Sequence, residues 1–340
     1  EFVFDSFNFR SYNLDLFIFM SFFFYPDQLE FEVSSQAEAV ELCTFTACTK
    51  KSDHKKFIPV YQFTEDHLLP GYQDDTLVKC IQALANLTVL IRCSVTSLKR
   101  PDTFPNSSKP YPFIENRGST THIRHSTGWV LYVDRAPRSP TRACLCDACR
   151  QSPTPATKFA EIEIRTAAHG VYDRTEAEHT TCYLFFDKGT LPDLDSTTLV
   201  SCRKAQAEHD FESDYCDLTF TTHDMELAEK LEKMVCEYRS LHAAVKHKYP
   251  DKEDHKLTVI VSHPHGCSKH VSVGEYVQVE SMVNRDSLTR YIYTTASCPG
   301  CSGAPVFVLS RGWQWLWCQH PHSGQWDKEL GLNYSGFALK

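Results

Sequence analysis

No part of the 340-residue chain supplies the roughly 20 consecutive apolar residues that a bilayer-crossing helix needs. The nearest approach, Leu16 to Tyr25, is too short. It also lacks a Lys/Arg cluster before it and an Ala-x-Ala-like site after it, so a secretion signal is not expected there. Basic charge is in deficit as well. Lys and Arg total 35 against 43 Asp and Glu, a net charge of -8 with a pI of about 6.1, and a surface of that sign does not track phosphates. Neither a membrane span nor a nucleic-acid partner is therefore expected.

The start of the chain is crowded with phenylalanine, among them Phe2, Phe4, Phe7, Phe9 and Phe22 to Phe24, and residues 1–33 are expected to be disordered. Residues 34–111 read as a partly helical N-terminal region. Asp74 to Ile91 is its helix, with Leu77, Ile81, Leu84 and Leu87 on one stripe. Pro101, Pro105, Asn106, Ser107, Ser108 and Pro110 mark a linker, which places a domain boundary before residue 112. Beyond it the pattern is mostly β, with strands expected at Gly128–Val133, Ile162–Thr166, Leu257–Ser262 and Val271–Val283, and an aromatic one at Trp313–Trp317. The exception is Thr222 to Tyr249, where Leu227, Leu231, Met234, Tyr238, Leu241 and Val245 recur at helical steps before Pro250.

The chemistry concentrates in Gly300-Cys301-Ser302-Gly303-Ala304-Pro305. A serine between glycines sits on a sharp turn that exposes its hydroxyl and gathers backbone N–H groups into one small space. Such a hydroxyl needs a base. Thr166-Ala167-Ala168-His169 ends a predicted strand, and its small alanines let an imidazole pack closely. A carboxylate is then needed to orient the ring. Asp214 shares a strand face with apolar Cys216, Leu218 and Phe220, whereas Asp217 shares the polar face, so Asp214 is preferred and Asp217 stays open.

These motifs, in this order, resemble the trypsin-like serine peptidases over about residues 128 to 340. The resemblance implies two six-stranded antiparallel β-barrels of chymotrypsin type, with the 222–249 helix inserted between them. It also implies hydrolysis of protein or peptide substrates by a His169–Asp214–Ser302 triad, without a required cofactor. Gly300 and Ser302 would supply the oxyanion-hole N–H groups. Ala296 would lie near the base of the specificity pocket, which leaves a basic substrate side chain without an acidic partner. His320 or His322 falls where glutamate-specific members carry a pocket histidine, which points to Glu or Gln. Cys301 replaces the aspartate used in zymogen activation, so activity as synthesised or another form of control is expected.

The secreted members' cysteine after the histidine is absent, since Gly170 follows His169, and the 15 cysteines are odd in number. An intracellular, reduced chain fits this, although sequons at Asn86, Asn106 and Asn333 leave secretion open. Cys144, Cys146 and Cys149 are spaced to give three ligands to a structural zinc, with Cys182 a candidate fourth. His263-Pro264-His265-Gly266, with Cys267 and His270 nearby, reads as a polar turn rather than a metal site. Cys298 and Cys301 raise two lesser alternatives, redox control and a cysteine nucleophile. A peptidase fold that only binds its partner is the alternative to an enzyme.

Overall fold

The computed structural model describes residues 28–29, 32–34, 42, 48, 50, 54–104, 108–135, 143–144, 146–189, 198–200, 208–210, 213–283, 285–311 and 316–339. The expectation for residues 1–33 lies almost wholly outside them; the parts described there are strands.

In chain order the described residues give β1 (Gln28–Leu29), β2 (Glu32–Ser34), β3 (Ile58–Pro59), α1 (Asp75–Leu87), β4 (Thr88–Cys93) and β5 (Ile123–Asp134). Next come α2 (Asp147–Gln151), β6 (Ala160–Thr166), α3 (Arg174–Ala177), β7 (Thr180–Tyr183), β8 (Thr198–Val200), β9 (Glu208–Asp210), β10 (Tyr215–Thr222) and α4 (Met225–Lys248). The last part holds β11 (Leu257–Ser262), β12 (His270–Met282), β13 (Arg285–Tyr293), β14 (Pro305–Val308), β15 (His320–Asp327), β16 (Leu332–Ser335) and β17 (Ala338–Leu339).

All described strand pairings are antiparallel, and they make two sheets. The first runs β8-β7-β4-β5-β6-β10-β9, with β2 added on β5. The second runs β13-β16-β15-β14-β11-β12, and because β12 also pairs with β13 these six strands close on themselves. Among the described residues the six strands of the second sheet thus close as a barrel, and the first sheet curls so that β8 and β10 lie beside each other without a described pairing between them. Closure leaves no edge in the ring, and every residue of central β11 is buried.

Sequence pattern explains the local structure. In β6, Ile162 and Ile164 are buried while Glu161 and Glu163 are partly exposed, and in β10 Cys216, Leu218 and Phe220 point inward. Helix α1 starts where the Asp74 carboxylate accepts from the N–H groups of Thr76 and Leu77, and Leu77, Ile81, Leu84 and Leu87 are all fully buried. Each such leucine contributes about 2 kcal/mol of burial. The helix ends at Leu87, not Ile91, because β-branched Thr88 and Val89 open β4. Helix α4 packs on α1, and the Tyr249 hydroxyl donates to Asp74 at 3.0 Å.

Two readings of the sequence change here. Strand β4 lies between β5 and β7 inside the first sheet, so that sheet continues through the stretch that composition assigned to a separate region. Arg100, at the head of the supposed linker, is 1 % exposed and holds the Glu176 carboxylate with two hydrogen bonds of 2.6 and 2.7 Å. Proline-rich composition marks irregular backbone, and irregular backbone can be buried when a cation anchors it. Of the expected aromatic strand Trp313–Trp317, residues 313–315 lie outside the described residues, and Leu316–Cys318 is a 3-10 turn.

Candidate active site

The sites of His169 and Ser302 come from opposite sheets. His169 follows β6, where Ala167 and Ala168 are 0 and 1 % exposed, and Ser302 precedes β14. The Ser302 Oγ lies 2.8 Å from His169 Nε2. On the far side of the ring, Nδ1 lies 2.8 and 2.9 Å from the two Asp214 oxygens, and the His169 backbone N–H also donates to Asp214 Oδ1 at 3.1 Å. Asp214 sits just before β10 in the left-handed region, with φ of 52°, which turns its carboxylate back beneath the ring. With the carboxylate ionised, Nδ1–H donates to it and Nε2 is left to accept the serine proton.

Asp217 is elsewhere. Its two oxygens take Nε and Nη2 of Arg165, both at 2.6 Å, while Arg165 lies 4.2 Å over the Tyr215 ring. It is a cross-strand ion pair on the outer side of β6 and β10 and is not brought to His169.

The serine loop is held by β5. Thr127 N–H donates to the Ser302 carbonyl and Thr127 Oγ1 to the Gly300 carbonyl, each at 2.8 Å. Gly303 N–H donates to the His322 carbonyl at 2.7 Å, and Gly300 and Gly303 have φ of +93° and +80°. A Cβ at residue 303 would lie 2.3 Å from the Thr127 carbonyl and 2.5 Å from Ala167 N, so only glycine lets the loop sit against the ends of β5 and β6. Ser302 is 0 % and His169 1 % exposed, so both reacting groups are covered.

Beside this site, Lys50 Nζ donates to Ser297 Oγ and Asn333 Oδ1 at 2.8 Å each. His322 is fully buried, with Nδ1 2.7 Å from the Tyr293 hydroxyl. Burial above all, then the nearby Lys50 and His169, holds its ring well below the usual imidazole range, hence neutral. His320 turns away to the Thr289 carbonyl at 2.8 Å. Ala296 is buried in a small cluster with Phe57, Cys267, Cys298 and Cys301. Asn333 is 1 % exposed and donates to the Thr295 carbonyl, so its sequon is structural. Lys50, Thr127 and the Ser323 carbonyl, which lies 3.4 Å from Ser302 Oγ, were invisible in the sequence, because nothing about their spacing ties them to the motifs.

Neither thiol near the serine has the setting of a nucleophile. Burial pushes Cys298 and Cys301 above the ordinary thiol range, and Cys301 Sγ bonds to Ser262 Oγ at 3.3 Å.

Two clusters have metal-ligand character among the described residues. Cys144, Cys146, Cys149 and His223 have ligand atoms within 4.8 Å of one another. His223 Nε2 lies 3.1, 3.7 and 3.5 Å from the three sulfurs, close to the ~3.6 Å N–S edge of a tetrahedron with zinc-like bond lengths. Cys182 is instead inside β7, opposite Ile91. The second cluster joins Cys48, His54, His265 and Cys298. His265 therefore belongs to a ligand set that its reading as part of a polar turn did not include.

No protein-family model and no curated protein matches the chain. Solved structures similar to it are serine proteases. The HtrA-type protease AlgW with a decapeptide has 11 % identity and a TM-score of 0.38, covering 77 % of this chain and 62 % of that one. The Rv3671c protease from M. tuberculosis in its active form has 14 % identity and a TM-score of 0.35, with 78 and 82 % covered. The thermostable serine protease AL20 from an extremophilic microorganism has 10 % identity and a TM-score of 0.37, with 75 and 93 % covered. The chain thus spans less than two thirds of the AlgW chain's length. At such low identities and TM-scores, any reading of the site depends on its own geometry. Among the described residues no helix is long and apolar enough to cross a membrane.

Proposed function

We propose that the chain is a serine endopeptidase in which Ser302 attacks the scissile carbonyl. The observation that carries this is the unbroken hydrogen-bonded series from Asp214 through His169 to the Ser302 hydroxyl. His169 takes the serine proton as the C–O bond forms and returns it to the departing amine. Asp214 keeps the ring in the required tautomer and stabilises the imidazolium. Water then attacks the acyl-enzyme by the same route. The N–H groups of Gly300 and Ser302 receive the oxyanion, supported by Thr127, which holds the carbonyls of both residues. An oxyanion donor is worth about 3 kcal/mol of barrier.

The substrate side chain nearest the cleaved bond is acidic. The Lys50 ammonium beside Ser297 and Asn333, with neutral His322 next to the triad, supports this preference. Cys144, Cys146, Cys149 and His223 would hold a structural zinc that clips the 143–151 loop to the end of β10, and no step of the reaction runs through it.

Labelling with a fluorophosphonate tests the activity: the chain is expected to label, and Ser302→Ala not to. A chain that folds but takes no label is a binding protein on a peptidase scaffold. A peptide-library profile tests the pocket, and a preference for large apolar residues would remove the acidic assignment.

A further inference from the structure

We infer that Cys48, His54, His265 and Cys298 form a second zinc site, one that braces the serine loop from behind. The four ligand atoms lie within 4.8 Å of one another, with Cys298 fully buried and His54 and His265 only 6 and 8 % exposed. The two sulfurs are 3.7 Å apart, far beyond a disulfide bond and close to the ~3.8 Å S–S edge of a zinc tetrahedron with 2.3 Å bonds. The two imidazoles meet edge to face with centroids 5.3 Å apart. Both histidines hold left-handed backbone, with φ of 49° and 54°, a conformation that costs non-glycine residues about 1 kcal/mol and that ligation would offset. Two thiolates and two neutral imidazoles around a divalent ion make a neutral group, which suits burial. Binding releases the two thiol protons to solvent.

The ligands come from three separate stretches of chain, and His265 N–H also donates to the Pro299 carbonyl at 2.6 Å. A cation on His265 and Cys298 would therefore clamp the residues immediately before Gly300. Zinc released from the full-length, reduced chain on denaturation measures the site. Cys48→Ser and His54→Ala are each expected to remove about one zinc per chain, whatever the Cys144 cluster holds. Cobalt(II) added to the metal-stripped chain should give tetrahedral thiolate absorption that Cys144→Ser retains and Cys144→Ser/Cys48→Ser loses. Unchanged metal content in both single variants, or identical cobalt spectra in the last two, would overturn the assignment.

Discussion

The two halves of the site are supported in opposite ways. Behind His169 lies a buried, charged network: Arg100 and Arg124 both pair with Glu176, Arg100 donates to the His169 carbonyl at 3.1 Å, and both arginines reach the Gly170 carbonyl. Burial alone would raise the Glu176 carboxyl, but hydrogen bonding and the charges of the two arginines outweigh it and hold the carboxyl below its usual range. Behind Ser302 there are buried thiols, hydroxyls and imidazoles, with the Lys50 ammonium held on Ser297 and Asn333, on a closed ring of strands. His169 is thus backed by ion pairs, and the Ser302 loop by Thr127 and by the closed ring of strands.

The sharpest break of this comparison is at the acid. Asp214→Asn keeps the shape but favours the wrong tautomer, and kcat should fall by roughly 10⁴, while Asp217→Asn, whose partner is Arg165, should leave kcat near wild type. Equal losses in steady-state assays would mean that the two aspartates are not separated in role. Next in size, Glu176→Gln leaves two buried guanidinium groups short of their anion and should cost about 3–5 kcal/mol in denaturant unfolding. On the serine side no single charge removal should approach that.

How far the sequence reached follows the same division. His169, Asp214 and Ser302 were legible because each sits in a short local motif whose chemistry is set by neighbours in the chain. Arg100 was hidden because a buried cation inside a proline-rich stretch looks like a linker until its partner, 76 residues away, is known. Of the two Cys/His clusters, Cys144, Cys146 and Cys149 advertise themselves by spacing, whereas His223, which the fold brings beside them, follows β10 with no motif of its own. The other set draws one or two residues from each of three distant segments, and no spacing rule can gather them. Ring closure was equally out of reach, since it depends on β12 pairing on two sides.

A smaller effect should appear at Thr127, the residue through which the first sheet holds the second sheet's loop. Its hydroxyl donates to the Gly300 carbonyl and accepts from His263 N–H at 2.9 Å. Thr127→Val keeps the shape and strands both groups, so about 2 kcal/mol of stability should be lost. Because Gly300 is freed rather than removed, kcat should fall by roughly tenfold with KM little changed. A fall in KM-dependent binding alone would mean that the loop is set from elsewhere.

The smallest effect is a response to acid that should reach the His320 strand and spare β6. In the folded chain burial lowers the His320 ring to about 4, against about 6.5 when unfolded. A depressed folded value means that its stability is complete above pH 6.5 and is lost as pH falls towards 4, because only the unfolded chain takes up the proton. At pH 5.5 each such histidine costs about 1.4 kcal/mol. His322 is shifted in the same direction and lies on the same strand, whereas Glu176 is held ionised throughout this range. Hydrogen exchange at pH 5.5, corrected for intrinsic rate, should therefore show β14–β16 opening more easily, along with the start of β5, where burial lowers the His125 ring to about 4, while β6 keeps its protection. His320→Gln still offers an N–H to Thr289 but cannot titrate, and it should flatten the response. If β6 loosened first, the ion network behind His169 would be the acid-sensitive support, and the roles given to His320 and Glu176 would have to be reversed.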